Sequence, residues 1–515
     1  MKVNVARRKR QQTVFAGLDH NESVRNGYLY DMENLCGDLS PVLSVRKGRT
    51  KVRNIPNFHG IGSADGKLYW VSGSSFVYDG VKRGTVSNDD KRFGRLGNRI
   101  LIWPDKKVYN INSNTFENIE LQWSGSASFV SYTWDATSDE AADVYQGNAI
   151  KTTGTAFPFE VGDAVFVEGS SIEGNNRSAV IRKISEDKKM LIFTNNLFEE
   201  RSEEALTLSR KAPEMEWFCE LDNRLWGCKG DDIYACSLGL PKSWYDYNTN
   251  AGSSYAVPVG SDGDFTGAGV VGGYAVFFKE DAIHKIYGDK PSNFRALASA
   301  VAGTLDGRSV AVANETMYYL GRPGIMAYKG GAPSCVSGEL GAGRFTHGVG
   351  GSDGRRYYAS LYNGQEWTLY VYDTWNGLWF KEDTVQAVGF AMAGGVLHMV
   401  DAAGDLWSLN TESSNGVPWS METGDFSNGD PDKAGIGKLQ VRLELDASAE
   451  ATVQIQFDSS GTWQTCRSVS GGQEKKTVLI PIIPRRCDHY RLRISGTGGC
   501  KIYSIAMEFY QASEI

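Results

Sequence analysis

The sequence predicts an all-β protein: a β-propeller of about seven blade-like repeats, with a small inserted β-barrel and a C-terminal β-sandwich. Three observations predict it. A short phrase, a Gly or Asn turn followed by an aromatic-rich alternating strand, a polar break and a second strand, recurs along the chain. Composition agrees, with 59 glycines in 515 residues, 11% aromatics and many Asp-Gly, Gly-Asn and Gly-Gly pairs, the chemistry of short strands and tight turns. The repeat is also interrupted once and then resumes, as an inserted domain requires.

The phrase is clearest at Ala64-Asp65-Gly66-Lys67-Leu68-Tyr69-Trp70-Val71 with Ser75-Phe76-Val77-Tyr78. It returns from Leu96 to Trp103, Leu221 to Trp226, Gly272 to Phe278, Asn314 to Tyr319, Asp353 to Tyr358 and Gly394 to Val400. One small twisted sheet cannot bury both its faces, so repeated sheets must stack on one another. Such stacking also shelters short sheet edges.

In chain order, residues 1–25 read as a basic arm containing Arg7, Arg8, Lys9 and Arg10, with too few apolar residues to pack alone. An arm of this kind is expected to lie on a neighbouring subunit. Residues 26–123 form the first part of the propeller, and their leading segment is expected to close the last blade. That segment carries a second basic cluster, Arg46, Lys47, Arg49, Lys51 and Arg53. Residues 124–212 break the period, and three short alternating strands after Val161-Gly162-Asp163 read as an SH3-like barrel. The propeller resumes over 213–414. A polar stretch over 415–437 reads as a linker, and alternating strands over 438–515 as the sandwich.

The net charge of −7 argues against a whole-surface nucleic-acid binder, leaving the two basic clusters as candidate contacts to phosphates or to acidic subunits. The N-terminus lacks the apolar core of a secretory signal, and the longest apolar run is well short of the ~20 residues that span a bilayer. Eight sparse cysteines without a CxxC pair suit reduced thiols rather than a disulfide framework.

Catalytic signals are weak. Asp458-Ser459-Ser460-Gly461-Thr462-Trp463 approaches a sialidase Asp-box, but the glycine is one position late and the copy is solitary, so a hairpin turn explains it better. No Gly-x-Ser-x-Gly elbow is present and the six histidines are scattered; His284 and His398 fall in blade strands and read as packed residues. Cys219, Cys228 and Cys236 are spaced unlike a zinc site, and no phosphate cradle follows the glycines at 338–343. The expectations are no enzyme, no metal and no cofactor. Trp375 and Trp379 are the aromatics most suited to stacking on sugars, with blade packing as the plainer account.

Two stretches carry a family resemblance. Pro484-Arg485-Arg486-Cys487-Asp488-His489-Tyr490, leading into Arg491-Leu492-Arg493-Ile494, resembles the ending of structural proteins of tailed bacteriophages and prophages. The Asn34-Leu35 step, Pro41 and the strand ending in Arg46 are similar to their start. In architecture, a ring-forming propeller resembles the tail hub or nozzle proteins of short-tailed phages, including those of the packaged-DNA stabilisation type. The resemblance implies a virion tail protein, without membrane insertion, forming a ring, expected as a hexamer. Its partners would be portal or adaptor proteins, tail fibres or spikes, and non-specific double-stranded DNA in the lumen. The alternatives are a distal tail module that binds host glycans and a propeller hydrolase of the host surface.

Overall fold

The computed structural model describes residues 7–135, 144–193, 197–248, 250–414, 416–427, 433–483 and 485–510. Among them there are only strands and three short 3-10 turns, and no helix is long and apolar enough to cross a membrane. The chain divides into two compact units, Asn57–Gly303 and the pair Met1–Pro56 with Thr304–Ile515.

Seven four-stranded antiparallel sheets are the propeller blades. Four belong to the first unit, with leading strands Phe58–Ala64, Arg92–Leu96, Trp217–Leu221 and Gly267–Val271. Three belong to the second, led by Ala311–Ala313, His347–Ser352 and Ala387–Ala393. The recurring phrase is the turn after the first strand of each blade together with the second and third strands. In six blades two residues join the first and second strands, including Asp65-Gly66, Asp222-Asn223, Gly272-Gly273, Asn314-Glu315 and Gly394-Gly395. Both residues of those five pairs have positive φ, between 46° and 78°, as a type I′ turn demands when it must match the strand twist. Gly97 supplies a single positive φ before Asn98, which suits the related II′ turn.

Second strands are buried on both faces, and the two-residue side-chain period divides them between neighbours. In Arg99–Trp103, Ile100 and Ile102 join Tyr69, Val71 and Tyr109 in one core, while Leu101 and Trp103 join Leu225 and Trp244 in the next. Each large side chain so buried contributes about 1.5–3 kcal/mol. His284, on the third strand Ile283–Tyr287 of its blade, is also buried: its Nε2 lies 2.9 Å from Ser261 Oγ, and burial lowers its pKa. Burial likewise lowers the pKa of His398, whose Nδ1 lies 3.0 Å from the Val396 carbonyl oxygen.

The interruption is a closed six-stranded barrel from Leu121–Asp135 to Arg201–Arg210, with its own core around Phe129, Ile150, Val165 and Leu208. Buried Arg210 fastens it to the second blade, donating to Asp163 at 2.7 Å and to the Ile119 carbonyl at 2.7 Å.

The last blade takes its fourth strand from the other end of the chain: Gly48–Asn54 pairs with Asp405–Glu412. The preceding segment goes elsewhere. Leu29–Glu33, Leu35–Leu39 and Val42–Val45 all enter the sandwich, so only the end of the expected segment closes the blade. One sandwich sheet runs Leu29–Glu33, Pro418–Thr423, His489–Thr497, Glu450–Phe457, Gln464–Ser470, and the other has Cys500–Tyr510 and Ala434–Leu445 at its centre. Within the stretch expected as a linker, Pro418–Thr423 and Phe426–Ser427 are sandwich strands, whereas residues 428–432 lie outside the described residues. The basic arm lies on its own chain: Arg7–Gln12 pairs antiparallel with Cys500–Tyr510, and Phe15 and Leu18 are buried. Four of the eight cysteines are buried free thiols, and Cys335 is exposed.

Candidate functional site

The second basic cluster lies at an open pocket of about 750 Å³ beside the last blade, lined by Arg46, Arg49, Val385, Asp401, Trp407 and Pro418 among others. Arg46 and Arg49 turn inward. Arg49 donates to Glu382 at 2.5 Å and its other terminal nitrogen lies 2.8 Å from Asp383, while Arg46 stands 3.5 Å and 3.6 Å from the same two carboxylates. Burial alone would raise the Glu382 carboxyl, but the two guanidiniums outweigh it and hold the pKa below its ordinary value. Charge in the floor is thus nearly compensated.

Asn34 orders this floor. It is buried with φ of 57°, accepts from Arg46 Nε at 2.7 Å and donates to the Pro418 carbonyl at 2.9 Å. The wall is built by a turn. Asp401 Oδ1 accepts the amides of Ala403 and Asp405 at 3.0 and 2.9 Å, and its Oδ2 accepts Trp407 Nε1 at 2.8 Å. The half-buried indole is thereby fixed, with Lys51 Nζ 6.0 Å from its ring centre. Sequence reasoning did not single out Asp401 or Trp407. Their signal was the Asp-Ala-Ala-Gly-Asp turn followed two residues later by an aromatic.

The other predicted cations are dispersed. Lys51 pairs with Asp405 at 2.5 Å, and Lys47 and Arg53 are exposed. Arg7, Arg8, Lys9 and Arg10 are exposed on the arm strand, where Arg7 pairs with Glu508 at 2.8 Å. In the C-terminal motif Pro484 lies outside the described residues. Arg485 packs over Phe457, Arg486 donates to the Lys433 carbonyl, and Tyr490 is buried. Burial pushes the Cys487 thiol up to about 11. His489 Nε2 lies 2.7 Å from Ser459 Oγ, and its Nδ1 lies 3.1 Å from Asp488. This relay has the order of a hydrolase triad, but it sits on an open hairpin turn with Asp488 58% exposed. Asp458 and Ser459 form that turn with φ of 51° and 48°.

Of the tryptophan pair, Trp379 is blade core and donates to the Val336 carbonyl at 2.6 Å. Trp375 is 68% exposed, with the Arg355 guanidinium 4.2 Å from its ring centre. Among the described residues no cluster of three or more His, Cys, Asp or Glu is arranged to hold a metal ion.

No family model matches the sequence, and no curated protein matches it. Solved structures do. An exo-β-1,3-galactanase from Phanerochaete chrysosporium is 8% identical, with a TM-score of 0.21 over 56% of this chain and 94% of its own. The phage phi92 endosialidase is 11% identical, with a TM-score of 0.26 over 87% of this chain and 80% of its own. A GH43 glycoside hydrolase engineered for endo-xylanase and exo-arabinofuranosidase activity is 10% identical, with a TM-score of 0.20 over 56% and 97%. All three are enzymes, so the expectation of a chain without enzymatic activity finds no support in them. Similarity this low assigns it no particular activity. None of these matches supports a hub, nozzle or connector, a ring, or a part in DNA ejection.

Proposed function

We propose that this chain is a saccharide-binding propeller protein that holds a glycan in the pocket of the last blade. The observation that carries the reading is the joining, in about 750 Å³, of the Trp407 ring with the ordered carboxylate of Asp401. Sugars present apolar C–H faces that stack on an indole, and hydroxyl pairs that suit a carboxylate. The volume lies within the range of small-molecule sites. The resemblance of the chain ends to tailed-phage proteins supports a virion tail as the setting and the host surface as the glycan's source. Hydrolysis is the second reading, favoured by the presence of Asp401 inside the pocket, since glycoside cleavage requires carboxylates at the sugar.

A glycan array with the full chain tests both. Binding that falls at least about tenfold in Trp407→Ala supports the proposal, ~1.4 kcal/mol being the expected minimum for a lost stacking face. Absence of binding, or binding indifferent to Trp407→Ala, overturns it. Release of reducing ends from a bound glycan, lost in Asp401→Asn, moves the assignment to a hydrolase.

A further inference from the structure

Pro418 lines the pocket's rim. Pro418 also borders a second groove, of about 400 Å³, on the outer face of the sandwich sheet, lined by Glu33, Ser420, Glu450, Thr452 and Ser495 among others. Strand register arranges this face in rows across the strands. Glu33 stands opposite Ser420, Ser420 opposite Ser495, Ser495 opposite Thr452, and Thr452 opposite Ser468. The next row holds Asp31, Glu422, Arg493, Gln454 and Thr465. Five strands at this spacing span roughly 19 Å. Arg493 is held by Glu422 at 2.9 Å and lies 4.1 Å from the ring centre of the half-buried Trp463.

We infer that the site takes an uncharged polysaccharide chain, which runs from the last-blade pocket past Pro418 and across these rows. The inference rests on the saccharide reading above and extends it to the class of substrate. Three features select the occupant. Hydroxyl, amide and carboxylate groups repeat across the sheet, as the hydroxyls of a sugar polymer repeat along its length. Among the described residues the two rows carry no apolar side chain, so they offer a protein partner no apolar centre. Its acidic side chains, Asp31, Glu33, Glu422 and Glu450, outnumber Arg491 and Arg493 even with Lys381 set against Asp31, so an acidic polymer is repelled.

The test uses the full chain with dextran, mannan and a neutral O-antigen polysaccharide, each also cut into fragments of graded length, and with hyaluronan as an acidic control. The expected result is affinity for long neutral fragments at least about tenfold above that for disaccharides. Ser495→Trp, which blocks the groove, should bring long fragments down to the disaccharide level and leave disaccharides unchanged. Trp463→Ala is the second variant should Ser495→Trp fail to fold, and it should weaken long fragments alone. Equal affinity for long and short fragments, unmoved by either variant, overturns the inference and leaves the pocket reading standing. Preference for hyaluronan also overturns it. If neither polymers nor disaccharides bind, both fall.

Discussion

Asn34 Oδ1 and Arg46 Nε lie 2.7 Å apart, a buried contact between the first sandwich strands and the pocket floor. Because Asn34 also has positive φ, its backbone and side-chain roles can be separated. Asn34→Gly keeps the backbone and loses the hydrogen bonds, at a cost of about 2–3 kcal/mol. Asn34→Ala adds a further ~1 kcal/mol of left-handed strain. Urea melts of the two variants check the order, and equal costs would remove the backbone role.

Acid should loosen the same floor. The Glu382 pKa is lowered in the folded chain, so its contribution is complete above the ordinary value of 4.5 and is lost as pH falls through the lower folded value. Glu382→Gln should cost about 3 kcal/mol at neutral pH, because Arg46 and Arg49 lose one of the two carboxylates that neutralise them and are left with Asp383. The deficit should shrink below pH 4.5, which denaturant melts at neutral and acid pH would show.

One blade turn is built against residue preference. Asn314 and Glu315 have φ of 46° and 58°, where Asn-Gly is the favoured pair. Glu315→Gly should therefore stabilise the chain by about 0.5–1 kcal/mol, once the larger entropy of an unfolded glycine is allowed for. A lower thermal midpoint would contradict this.

The arm strand Arg7–Gln12 is an edge whose pairing among the described residues is with Cys500–Tyr510. Cations on such an edge discourage another chain from adding to it. Replacing Arg8, Lys9 and Arg10 with Thr should raise concentration-dependent association in sedimentation and leave the dilute thermal midpoint nearly unchanged.

The hairpins were legible because their signal is local: two residues must accept positive φ, and Asp65-Gly66 or Gly394-Gly395 announce it in the sequence. The barrel was legible for the same reason, since Val161-Gly162-Asp163 interrupts the blade pattern within one short span. What escaped depends on distant partners. Arg46 and Arg49 read as free cations because Glu382 and Asp383 lie more than three hundred residues away. The arm read as intermolecular because its partner strand is the last one described. Trp375 and Trp379 look alike in sequence, but one stands in a turn and the other on an inward strand position.

Synthesis order gives the shared sandwich a temporal cost. Leu35–Leu39 and Val42–Val45 pair with each other at once, but Arg7–Gln12, Leu29–Glu33 and Gly48–Asn54 find their partners only after residues 405 to 510 have left the ribosome. At ordinary elongation rates that interval is roughly 20 to 90 seconds, during which residues 57–303 can already fold as a unit. Those three strands must spend it without their partners, and the charges crowded at Arg7 to Arg10 and at Arg46 to Arg53 keep them soluble until the late strands arrive.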